Sequence, residues 1–136
     1  MPANTSPVFP ITPVTTWGAL TAANTTATGI GTVATIFTAG ADGGRVDYIK
    51  ARAVGTNVTT VVRVFINNGS VNTTATNNSL IAEAVLPVTT ASNVTEIGAD
   101  IVIPLNISIP NGYKINVCLG TAVAAGWQFT AVGGNY

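Results

Sequence analysis

The sequence predicts an all-β fold: an antiparallel two-sheet sandwich, jelly-roll-like, with an extended proline-rich N-terminal arm. Three observations carry this. Threonine fills 22 of 136 positions, Val and Ile are abundant, and Glu, Lys, Leu and Gln are scarce, a composition that forms strands well and helices poorly. Apolar and polar residues alternate in short runs, and Gly, Asn, Asp and Pro separate the runs. No window offers an amphipathic helix longer than a turn or two, and no repeat is visible. The length, 136 residues, suits one domain.

Residues 1–18 are set apart as the arm, and residues 19–136 as the sandwich domain. Prolines at 2, 7, 10 and 13 remove backbone donors and fix φ, so the arm reads as extended chain and not as an interior strand. Phe9, Ile11, Val14 and Trp17 make it too apolar for a free linker, and they are the candidate partner-binding residues. Strands are then predicted over 31–38, 45–54, 58–66, 80–86, 101–109, 113–119 and 127–131, with the arm able to supply an eighth. Within 45–54, Val46 and Ile49 break the period of two, which predicts a bulge. Residues 67–78 are the most polar stretch and the expected long loop. Over 101–109, Ile101, Ile103, Leu105, Ile107 and Ile109 alternate without exception, so this strand is either central or covered by a neighbouring chain. Pro110-Asn111-Gly112 predicts a tight hairpin turn before the next strand.

The surface is the least ordinary feature. Ten residues are charged, five of each sign, or 7%, where about 25% is usual. On a monomer exposing roughly 6,600 Å² that is about one charge per 660 Å². Such a surface suits burial against neighbours and lacks the Lys/Arg clusters that nucleic acid requires. Without a basic start and apolar run at Met1-Pro-Ala-Asn-Thr, the expectation is synthesis in a host cytoplasm; no apolar run approaches membrane-spanning length. Cys118 is the single cysteine, set in an apolar run, and reads as a core residue.

Chemistry is sparse. With no histidine, the usual neutral-pH acid–base group and commonest metal ligand are both missing. Glu83, Glu96 and Asp100 could supply a glycosidase pair, but their spacing does not favour one, and solvated surface charges account for them better. Gly29-Ile-Gly31-Thr-Val-Ala34 fits a dinucleotide pattern only superficially, because a β-branched strand follows it where a helix is needed. Asp42-Gly-Gly reads as a turn and not a calcium loop. Asn-x-Ser/Thr triplets begin at Asn4, Asn24, Asn57, Asn68, Asn72, Asn77, Asn93 and Asn106; a chain this rich in Asn and Thr produces them by chance. Arg45, Lys50, Arg52 and Arg63 could form a basic stripe, although pairing with Asp47 and Glu83 explains them better. The residues thus predict no enzyme, cofactor or metal.

Three segments carry a resemblance. They are residues 31–49, containing Thr35-Ile-Phe-Thr-Ala-Gly-Ala-Asp-Gly-Gly-Arg45; Val62-Arg-Val-Phe-Ile-Asn-Asn-Gly69; and Ile109-Pro-Asn-Gly-Tyr-Lys-Ile115. Together they resemble a group of small phage virion proteins with jelly-roll folds, which serve as decoration, cement or fibre-head proteins. The resemblance spans residues 20–136. It implies a non-enzymatic virion component, often a homotrimer, that binds the major capsid protein on the outside of the shell. The alternative is a receptor- or carbohydrate-binding fibre head, for which Trp17, Tyr48, Trp127 and Tyr136 are the available aromatics. No nucleic-acid or membrane partner is expected. Binding should be flat between about pH 5.5 and 8, since no side chain of unperturbed pKa titrates there.

Overall fold

A computed structural model describes residues 9–136; Pro2, Pro7 and the Asn4 triplet of the arm lie outside the described residues. Eight strands follow in order: β1 (Thr12–Leu20), β2 (Ala34–Thr38), β3 (Gly44–Ala53), β4 (Thr60–Asn67), β5 (Asn78–Leu86), β6 (Ile101–Ile109), β7 (Lys114–Leu119) and β8 (Trp127–Asn135). They form two antiparallel four-stranded sheets, in the orders β1-β8-β3-β6 and β2-β7-β4-β5. The first is called the front sheet here and the second the back sheet.

The topology has a simple origin. Thr12 faces Asn135, Ala34 faces Val117, Arg45 faces Ser108 and Thr60 faces Leu86. The whole chain is therefore one long hairpin, folded at the polar 68–77 loop and then rolled. Rolling brings β8 against β3 and β7 against β4, which completes an eight-stranded jelly roll. Inward side chains from both sheets form the core: Phe37, Ile49, Val62, Val64, Leu86, Ile115, Leu119, Trp127 and Phe129 are all buried.

Edge positions explain where the prolines sit. The front sheet ends in β1, which contains Pro13, and in β6, which contains Pro104. A residue without N–H is tolerated at such edges and costs a ladder bond in the middle of a sheet. The division at residue 18/19 therefore falls inside an edge strand, because Thr12 onward pairs with β8 and does not hang free. Pro13 excludes an interior strand, as expected, and the arm supplies the eighth strand at an edge.

One further expectation changes and one narrows. Pro110-Asn111-Gly112 does turn tightly, with Tyr113 N donating to Pro110 O at 3.1 Å, but it carries the chain from β6 in the front sheet to β7 in the back sheet and closes no hairpin. Of the two alternatives for 101–109, the central position is excluded, because β6 is an edge, and cover by a neighbouring chain stays open. The bulge in β3 is where the broken period placed it, between Val46 and Tyr48.

The outer faces of the two sheets differ. On the back sheet, alternation turns Phe65, Asn116 and Cys118 outward, yet all three are buried. The 21–33 loop folds back over this face. Asn24 N donates to Leu119 O at 2.6 Å, Arg63 reaches the Asn24 carbonyl, and Asn72 Nδ2 donates to the Gly29 and Gly31 carbonyls at 3.1 Å each. The front sheet has no such cover among the described residues.

Candidate interaction surface

The outward rows of the front sheet follow from its register. One row reads Trp17, Thr130, Lys50, Val102 across β1, β8, β3 and β6; the next reads Thr15, Val132, Tyr48, Pro104. Inward rows, such as Thr16-Ala131-Ile49-Ile103, alternate with them. Trp17 is 68% exposed, Val102 54% and Tyr48 37%. Two strand spacings and two residues of rise place the Trp17 and Tyr48 backbones about 12 Å apart. The result is an outer face that carries two aromatic rings, the hydroxyl groups of Thr15 and Thr130 and a Val/Pro border.

The charges on this face neutralise one another. Arg45 Nε lies 2.9 Å from Asp47, and Asp100 receives both Lys50 Nζ at 3.1 Å and Arg52 at 3.0 Å. The Lys50 hydrogen bond, helped by Arg52, holds the Asp100 carboxyl below its ordinary pKa. Arg63 belongs to the back sheet, where it pairs with Glu83 at 2.8 Å. The four basic residues therefore form no common stripe, and local pairing accounts for all of them.

The four candidate binding residues divide by the strand's pleat. Ile11 (81% exposed) and Trp17 point outward, and Phe9 is 71% exposed. Val14 points inward and packs, partly buried, against the core. Phe9 and Pro10 line a concavity of about 350 Å³ with Arg45, Asp47 and Tyr136, at one end of the front face. A second, of about 240 Å³, lies on the back sheet among Asn72, Thr73, Lys114 and Asn116.

Of the aromatics considered for sugar binding, Trp17 and Tyr48 share the exposed face. Trp127 is in the core, its indole Nε1 without an acceptor among the described residues. Tyr136 is held by a 2.6 Å hydrogen bond to Ser108. Sequence reasoning did not find the join between Trp17 and Tyr48, because it depends on β8 lying between two strands distant in the chain.

Among the described residues, the three carboxylates weighed for catalysis are not brought together. Glu83 and Asp100 are held in ion pairs on different sheets, and Glu96 lies in the exposed loop before β6. Among the described residues no three His, Cys, Asp or Glu side chains come together as metal ligands. Gly43, at φ 87°, closes the Asp42 turn with a 3.0 Å bond from its N to Gly40 O. Gly29 and Gly31 sit in a loop with no helix after it, which excludes the dinucleotide geometry. Burial raises the Cys118 thiol pKa, so the reactive thiolate is disfavoured. Asn24 and Asn57 are buried and out of reach of glycan attachment in the folded protein.

No protein-family model and no curated protein sequence matches the chain. Two solved structures of infectious bursal disease virus resemble it. One, of the Gx strain, aligns at 16% identity and a TM-score of 0.32, over 89% of this chain and 33% of that one. Another, of the Gt strain, aligns at 12% identity and a TM-score of 0.34, over 93% and 30%. The chain thus spans about a third of the length of those chains. Scores this low carry no argument about function, which rests on the chain's own surface.

Proposed function

We propose that the protein is a non-enzymatic virion component, a cement or decoration protein that attaches to the outside of a capsid shell through its front face. The carrying observation is the bare outer face of the front sheet. Among the described residues a loop covers the β7 and β4 part of the back sheet and leaves Val85 on its β5 edge exposed, whereas no loop lies over Trp17, Tyr48 and Val102 on the front sheet. Uncovered apolar area of this kind marks a binding surface, and Trp and Tyr are the side chains that dominate binding energy in such surfaces. Internally paired charges suit a neutral partner surface and weak salt dependence. The resemblance to phage virion proteins implies the major capsid protein as that partner and leads us to expect a homo-oligomer, with a trimer as the expected form.

The fibre-head reading draws on one observation, that Trp17 and Tyr48 stand on the same exposed face about 12 Å apart, with the hydroxyls of Thr15 and Thr130 on that face. Exposed aromatics of this kind stack on sugar rings. A rebinding assay on shells stripped of the protein separates the two. Trp17→Ala and Tyr48→Ala should each weaken attachment by about 2 kcal/mol, roughly thirty-fold, with the far-UV spectrum unchanged. Undiminished attachment by both variants would overturn the reading, and sugar-dependent binding in its place would favour the fibre head.

A further inference from the structure

The two long sides of the sandwich are built differently. On one side β1 and β2 close the gap: Thr16 Oγ1 donates to the Ile36 carbonyl, and a Cβ on Gly18 would meet that of Ala34 at 3.1 Å. On the other side β5 and β6 scarcely touch. Burial records the difference. Ala82, Ala84, Ile101, Leu105 and Ile107 pack against the core but remain only partly buried. The core reaches the surface along this seam.

The seam is also uncharged. Strand β6 contains no ionisable side chain, and the single one in β5, Glu83, is paired with Arg63 at 2.8 Å. Val85 and Val102 on the outer faces beside the seam are 68% and 54% exposed.

We propose that this β5–β6 seam is the contact between copies of this chain, the seams of neighbouring copies covering one another's incomplete cores whether two copies meet or three converge on a common axis. The proposal rests on the assembly reading for its purpose, though the contact is testable in solution. Three observations favour a second copy as the occupant. A neutral wall on a chain of zero net charge meets its like without repulsion. A wall about 30 Å long and about 20 Å across, two sheets with their side chains, offers about 600 Å², near the about 800 Å² per partner of a stable interface. The edge is built to stop. Pro104 has no N–H, and Asn106, at φ 51°, interrupts the ladder, so copies pack by side chains and do not extend a continuous sheet.

Sedimentation velocity at micromolar concentration tests this. The wild type should sediment as a multiple of 13.7 kDa. Ala84→Lys and Leu105→Lys should sediment as monomers, with self-association weakened about a hundred-fold or more by a buried, unpaired ammonium. Trp17→Ala should leave self-association unchanged, which separates this contact from shell attachment. Should the seam variants not fold, hydrogen exchange decides: protection of the β5 and β6 amides in the wild type should fall on dilution. A wild type that is monomeric throughout, seam variants that associate normally, or protection independent of concentration would each overturn the proposal.

Discussion

Asn57 is buried and ties three loops together. Its Nδ2 donates to the Gly55 and Gly126 carbonyls and to Thr89 Oγ1, and its Oδ1 accepts from Ala125 N and Gly126 N. Truncation leaves several buried groups without partners, so Asn57→Ala should cost about 3 kcal/mol, a fall in Tm of roughly 10 °C, measurable by calorimetry. Gly133 is constrained by space: a Cβ there would run into the Arg45 carbonyl across the β8–β3 ladder. Gly133→Ala should therefore leave little folded protein. Asp100 gives a pH prediction. Its folded pKa is lowered, so its contribution is fully present above about pH 4, the unfolded value, and is lost as pH falls through the lower folded value. The Tm difference between wild type and Asp100→Asn should be constant from neutral pH to about pH 5 and vanish in stronger acid. The alternating pattern placed Trp127 and Cys118 in the interior. Asn57 gave no comparable signal, because its partners other than Gly55 lie more than 30 residues further along the chain.

Elements were legible where period and punctuation agree. All seven expected strands form near their expected bounds, and the β3 bulge follows from one break in alternation. Pairing was not legible. A Pro-Asn-Gly turn has the same local chemistry whether the next strand joins the same sheet or the opposite one. The arm shows the same limit. Its prolines exclude a central strand, and only tertiary structure reveals that Thr12–Leu20 is an edge strand that includes one of them. This sets the truncation behaviour. Removing residues 2–9 leaves the Ile11 N bond to Asn135 O and all of β1 in place, so Tm should stay within about 2 °C, roughly half a kcal/mol. Removing residues 2–15 strips four residues from β1, uncovers the edge of β8 and deletes Val14, which should cost about 2–4 kcal/mol. Equal stability of the two truncations would show that the β1–β8 pairing contributes nothing.

At the scale of the whole molecule, the rolled hairpin pairs residues from the two ends of the chain, as Thr12 with Asn135. Loop closure precedes most of the pairing, so refolding should be slow for a domain this size, on the order of milliseconds to seconds. Stopped-flow fluorescence of the buried Trp127 would follow it. The fold class was readable because strand composition, turn residues and absent helices agree. The candidate face was not, since an exposed Trp in an arm and an exposed Tyr in a strand become neighbours only after the roll. On the proposed reading, that face, its neutralised charges and the open seam are surfaces that partners cover. The measurement that tests this most directly is quantitative mass spectrometry of purified particles from the source. Attachment across a capsid exterior predicts hundreds of copies per particle. A handful of copies would place the protein at a fibre tip, and its absence from the particles would contradict the account.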